Sequence, residues 1–183
     1  MRLPTLLDSG LFAPAELSAL RLDGDCFPVG PAAVASDAPL DSAVRAAVLA
    51  GEAARYGLVA ADRLAAWVHG AISRPPDPVR FSIDVAGGVR TRTPPVPPRE
   101  VRFGRADLTV IAGLRLTTPL RTALDLARLE ERFDRPAGEI VTHLLSLAAV
   151  SPAAAAQVLA SAPPTPDKRR GIRRLQSLGA GSP

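Results

Sequence analysis

The segment Leu116-Thr117-Thr118-Pro119-Leu120-Arg121-Thr122-Ala123-Leu124-Asp125-Leu126-Ala127-Arg128 constrains the fold of this chain more than any other stretch. It reads as the end of a strand, a sharp turn and a tightly capped helix. The Thr118 hydroxyl can accept a hydrogen bond from a backbone N–H that the first helical turn leaves unpaired. Pro119 follows at the first helical position, where its missing N–H costs nothing. Leu120, Ala123, Leu124 and Ala127 recur at i, i+3, i+4 and i+7, which predicts one apolar face. Arg121 and Asp125 are four apart on another face and close enough to pair, although Arg before Asp is the weaker orientation. We read that pair as structural, orienting the helix against a sheet, with a substrate-binding arginine as the alternative.

At 183 residues the chain is long enough for one domain, or one domain with a small appendage. It is 47% hydrophobic, but much of this is alanine and only seven residues are aromatic, so Leu, Val and Ala should build a core of closely approaching helices. All but one of the 22 basic residues are arginine, a bias that GC-rich coding alone would give. Their distribution says more than their number. Residues 1–62 carry four arginines against eight acidic residues, a net charge of −4. Residues 74–105 carry seven arginines against Asp77, Asp84 and Glu100, and residues 164–183 carry five cations against Asp167, each a net +4. The chain is thus acidic early and basic in two later patches. The single cysteine, Cys26, excludes an internal disulfide and a cysteine-based zinc site, and is read as a small apolar filler. No signal peptide precedes the first proline and no apolar run approaches the length of a membrane span, so a cytoplasmic protein without membrane partners is expected.

Short helices are expected over residues 4–9 and 14–22, the second opened by Pro14. Cys26 to Pro31 is too proline-rich for a central strand and suits an edge hairpin. Asp41 or Ser42 can cap a helix through Tyr56 that Gly57 ends. A second helix spans Ala61 to Val68 and closes at Gly70. After the rigid Pro75-Pro76-Asp77-Pro78 linker, Val79 to Val85 alternates apolar and polar as a strand does, and Gly87-Gly88 turns it. Glu100 to Phe103 alternates likewise, and Leu108 to Leu116 holds two strands around Ala112-Gly113. The Pro119 helix is expected to reach about Phe133, followed by helices over Glu139 to Leu147, Pro152 to Leu159 and Asp167 to Leu178, with Gly179 to Pro183 frayed. The fold class is α+β: a small antiparallel sheet flanked by helices, with a reduced helix-plus-hairpin appendage at the N-terminus.

Three segments, in order, resemble the AbiEi-type antitoxins of type IV toxin–antitoxin systems, in an actinobacterial form. They are Arg63-Leu64-Ala65-Ala66-Trp67-Val68-His69-Gly70, the strand Val79 to Val85, and Gly113 through Arg128. The Lys168-Arg169-Arg170 helix is similar to a basic segment near the end of these proteins. The match covers about residues 40–178. The resemblance implies a regulator that binds DNA at its own promoter and opposes a cognate nucleotidyltransferase-like toxin, with an N-terminal winged helix reading DNA. Here residues 1–38 leave room for one helix and a hairpin, not three helices, so they read as a shortened winged-helix-like segment. An antitoxin-like core then spans 39–162, and 163–183 form a proline-rich linker and basic helix.

Trp67 is read as a core anchor. His69 is read as a helix-ending residue that caps carbonyls and favours the helix dipole. His143 should lie at or near the surface. Neither histidine has a carboxylate cluster nearby, so no metal or cofactor is expected. The chain lacks a nucleophile elbow and a glycine-rich phosphate loop, and no catalytic residue is assigned; the protein is expected not to be an enzyme. The candidate nucleic-acid contacts are Arg80, Arg90, Arg92, Arg99, Arg102 and Arg105 around the strands, and Lys168, Arg169, Arg170, Arg173 and Arg174 on the last helix. Such contacts position a nucleic acid without reading its sequence. The alternative is an interaction or scaffold module without nucleic acid, in which Leu6, Leu7, Leu11, Phe12 and Leu17 dock a protein partner or a second copy. Sequence alone leaves the oligomeric state open.

Overall fold

A computed structural model of the chain describes residues 4–7, 10–29, 32–86 and 93–180. The Gly87-Gly88 turn and the basic residues Arg90 and Arg92 lie outside the described residues. The first elements are β1 (Leu6–Leu7), α1 (Pro14–Leu22), β2 (Cys26–Val29) and β3 (Ala32–Ala35). Both strand pairs are antiparallel, in the order β1-β3-β2. The helix expected over residues 4–9 is therefore corrected: Leu6 and Leu7 pair with Val34 and Ala33 as a strand. A short apolar run carries no period of its own, and the pairing partner decides its state. The Cys26 hairpin sits at the sheet edge, with Pro28 on the outer strand, where it interrupts no ladder. Alternation along β3 gives the sheet two apolar faces. Ala33 and Ala35 join Leu7 and Cys26 beneath α1, while Ala32 and Val34 join the main core.

Helix α2 (Ser42–Tyr56) is capped as its sequence suggests: Asp41 Oδ1 accepts from the Val44 N–H at 2.9 Å, and Gly57 leaves in the left-handed conformation at φ 64°. Helix α3 (Asp62–Val68) is buried from Leu64 to Val68. The remaining strands are β4 (Ser82–Asp84), β5 (Arg99–Val101), β6 (Leu108–Ile111) and β7 (Leu114–Thr117). β6 and β7 are antiparallel, whereas β4 and β5 are parallel. Val59 bridges Ser82 in antiparallel fashion and Ala60 bridges Leu116 in parallel. The two-residue segment Val59–Ala60 thus joins the pairs into one mixed array, in the order β6, β7, Val59–Ala60, β4, β5.

The motif helix α4 (Pro119–Leu129) ends four residues earlier than expected, at Leu129, with Glu130 as its C-cap. Helix α5 (Arg135–Leu147) starts earlier than expected, because Asp134 accepts from the Ala137 N–H at 3.1 Å and Pro136 sits in the first turn. Helices α6 (Pro152–Ser161) and α7 (Lys168–Ala180) complete the chain. Helices α4 to α7 enclose a second core around Ala127, Val141, Leu144, Leu159 and Leu175. α7 packs into this core at Gly171, where an added Cβ would lie 2.6 Å from Arg128 Cγ and 2.8 Å from Leu159 Cδ2. The fold is α+β.

Candidate functional site

Strand directions place the polar residues at one edge of the mixed sheet. Val59–Ala60 and β7 run the same way and each feeds a helix, α3 and α4 respectively. β4, β5 and β6 run the opposite way, so Arg80, Arg99 and the Arg105–Asp107 turn preceding β6 come to that same edge. Arg102 leaves β5 at the other end. Phe81 and Phe103 are buried and Arg80 and Arg102 exposed, but the alternation expected over Val79 to Val85 breaks at Ser82, which is buried between Phe81 and Ile83.

Asp62 sits in the middle of the edge, at the first position of α3, with a left-handed φ of 52° that is uncommon outside glycine. Its carboxylate pairs with Arg99 at 3.1 Å. Burial raises its pKa; Arg99 opposes that shift and Asp125 adds to it. Arg63 reaches Glu130 at 3.1 Å. Asp62 and Arg63 line two adjoining clefts, one of about 500 Å³ bounded by Pro76, Asp77, Pro78 and Arg80, the other of about 330 Å³ bounded by Arg99, Leu126 and Glu131.

Behind this edge runs a buried charged chain. Thr118 caps α4, its hydroxyl accepting from the Arg121 N–H at 3.3 Å. Arg121 donates to Asp125 at 2.8 Å and to Asp107 at 2.6 Å. Arg128 reaches the other Asp125 oxygen at 3.2 Å and donates to Thr165 Oγ1 at 2.5 Å. Asp125 is only 1% exposed. Burial works against the Arg121 charge, but Asp125 and Asp107 more than offset it and its pKa is raised. Arg121 also lies over the Phe103 ring, 5.4 Å from its centroid.

The basic helix divides its cations between two duties. Arg170 Nε donates to the Arg128 carbonyl at 2.9 Å, and Arg174 donates to the Ala127 and Glu130 carbonyls at 3.1 and 2.7 Å. These oxygens belong to the last turn and C-cap of α4, where a helix leaves its carbonyls unpaired and favours positive charge. Lys168 donates to the Ala162 carbonyl at the end of α6. Arg169 and Arg173, four apart on the outer side, are exposed and have no polar partner among the described residues. Arg80, Arg102 and Arg105 are likewise exposed and unpartnered among the described residues, whereas Arg99 is engaged with Asp62. Among the described residues, Arg80, Arg99 and Arg105 thus stand at one edge of the sheet and Arg102 at the other.

His69 departs from its expected contacts. It does follow α3, but its ring Nε2–H donates to the Thr117 carbonyl of β7 at 2.8 Å rather than to a carbonyl of its own helix. Burial lowers its pKa, with the Thr117 bond acting the other way, which favours the neutral ring over the charged one. The carbonyls at the end of α3 are met instead by Arg45, which donates to the Trp67 carbonyl at 2.7 Å and lies over the Trp67 ring. Trp67 is fully buried and His143 is exposed. Leu7 is also fully buried, and Leu6, Phe12 and Leu17 pack against the chain's own cores, which corrects their expected role as docking residues; of that set only Leu11 is largely exposed. Arg45, Asp62 and Asp107 escaped the sequence reading because their partners are distant along the chain. Arg128, three residues after Asp125, carried a local signal.

Among the described residues, no group of three or more His, Cys, Asp or Glu is placed to hold a metal ion. No single helix among them is long and apolar enough to cross a membrane. A family model described as the AbiEi antitoxin C-terminal domain matches residues 46–178. Comparison with curated proteins finds no match.

Proposed function

The chain belongs to the AbiEi antitoxin family, and on that premise we propose that it is a non-enzymatic, cytoplasmic antitoxin-like regulator that touches nucleic acid through the arginines its fold leaves free. The division of labour on α7 carries this reading. Arg170 and Arg174 hold the end of α4, while Arg169 and Arg173 face solvent with no ion-pair partner among the described residues. Arg80, Arg102 and Arg105 extend the same chemistry over the sheet. Such residues contact phosphate, which gives affinity and salt dependence but no sequence code. In residues 1–38, α1 directly precedes the β2–β3 hairpin, as a recognition helix precedes a wing, and we read the segment as a shortened winged helix. On α1 the single cationic or amide side chain is Arg21, so that helix offers base edges little to read them with. The regulator's role would be to oppose a nucleotidyltransferase-like toxin.

The test is binding to the chain's own upstream DNA and to a scrambled duplex across a salt series. Arg169→Ala with Arg173→Ala should weaken both alike and flatten the salt dependence by about one unit of slope per lost contact. Unchanged affinity in this variant and in the Arg80, Arg102 and Arg105 triple-alanine variant would remove the assignment. A second reading draws on α1, which buries no residue and leaves Leu22 88% and Leu11 67% exposed beside acidic Glu16 and Asp23. In that reading the N-terminal segment docks a protein, and Leu11→Ser with Leu22→Ser, which leaves Val29, Ala32 and Val34 in the core, would abolish an interaction while nucleic-acid binding survived.

A further inference from the structure

A cleft of about 560 Å³ lies between the Pro163–Pro166 segment and the first two turns of α7. Lys168, Arg169, Arg170 and Arg173 line it, with Pro164, Thr165 and a single carboxylate, Asp167. That carboxylate is turned to Arg170 at 3.3 Å, so it does not neutralise Arg169 or Arg173. Arg169 and Arg173 are one helical turn apart, on the same side of α7. Thr165 Oγ1 accepts from Arg128, which leaves its hydroxyl proton available to an incoming oxygen. Below the cleft, Gly171 is pressed against Arg128 and Leu159, and Arg170 is held by the Arg128 carbonyl. The helix that carries the cations is thus pinned in place before any ligand arrives.

We infer that this cleft is a discrete phosphate site, taking a run of phosphate groups between the Arg169 and Arg173 guanidiniums and the Thr165 hydroxyl. Guanidinium forks match phosphate oxygens two at a time, and several closely spaced negative charges answer a wall of cations better than one does. The inference deepens the nucleic-acid reading, since a nucleic-acid backbone presents such groups, but a free polyphosphate presents them too. The site is common to both sources.

Inorganic tripolyphosphate, titrated calorimetrically into the full chain, is the direct probe. The expected result is saturable one-to-one binding. It should weaken about tenfold or more in Arg169→Ala/Arg173→Ala and stay within about twofold in Arg74→Ala/Arg132→Ala, a variant of two exposed arginines with the same loss of charge. Equal weakening in both variants would mean general charge attraction and would overturn the site, as would no binding to the unaltered chain. Equal affinity for a short polyglutamate would also overturn it as a phosphate site. A DNA duplex that tripolyphosphate displaces identifies the backbone as the source; a duplex that binds alongside it identifies a free polyphosphate. Failure of duplex binding with tripolyphosphate binding intact would remove the nucleic-acid reading and leave the site standing.

Discussion

Asp125 shows how much one buried side chain can hold in place. It is almost inaccessible and accepts from Arg121 and Arg128, which in turn reach Asp107 and Thr165. Replacing it with Asn keeps the shape but leaves Arg128 without a carboxylate and Arg121 with Asp107 alone. Breaking such a pair costs about 3–5 kcal/mol, so Asp125→Asn is expected to lower the urea midpoint sharply, and a change below about 1 kcal/mol would contradict the network. Asp62 carries the opposite sign. Its pKa is raised by burial, so the folded chain keeps a proton that the unfolded chain has lost. The stability this group contributes is full below the unfolded aspartate value, about pH 4, and is lost as pH rises through the raised pKa. Asp62→Asn tolerates the left-handed backbone and removes the charge. Its urea midpoint should exceed that of the unaltered chain at pH 7 and converge with it near pH 4. A lower midpoint at pH 7 would mean that the Arg99 pair outweighs burial.

At the scale of elements, α4 and α7 make one unit. Thr118 and Pro119 start α4 from its own sequence, but two arginines more than forty residues away finish it. Gly171 lets α7 approach closely enough for that contact. Gly171→Ala puts a methyl where Arg128 and Leu159 already are, with an expected cost of about 1–3 kcal/mol and lost protection of the α4 C-terminal amides to hydrogen exchange. Unaltered protection would show that α7 does not finish α4. The start of α4 was legible because caps and apolar spacing are local. So were Asp41 and Gly57 around α2, and the β6–β7 hairpin around its Ala112-Gly113 turn. Val59–Ala60, the segment that joins the sheet, was not legible: two residues hold no period, and they are strand-like only because Ser82 and Leu116 flank them. The parallel pairing of β4 with β5 was hidden for the same reason, since alternation along a strand says nothing of its neighbour's direction.

Over the whole molecule, the arginines that look alike in the sequence separate into those that build and those that face outward. Arg45, Arg170 and Arg174 meet helix-end carbonyls, and Arg121 and Arg128 hold buried carboxylate. Arg80, Arg102, Arg105, Arg169 and Arg173 do neither. A count of basic residues could not make this separation, because it depends on which carbonyls and carboxylates the fold brings near. The chain belongs to the AbiEi antitoxin family, and the outward set is the surface we propose for nucleic acid. Two double variants of equal charge measure this directly, each followed by thermal unfolding and by duplex binding at fixed salt. Arg169→Ala/Arg173→Ala should leave the Tm within about 2 °C and weaken the duplex, whereas Arg170→Ala/Arg174→Ala should lower the Tm by several degrees, from a loss of roughly 2 kcal/mol. The opposite pattern, with the outer pair lowering the Tm and the inner pair alone weakening the duplex, would contradict the division on which the account rests.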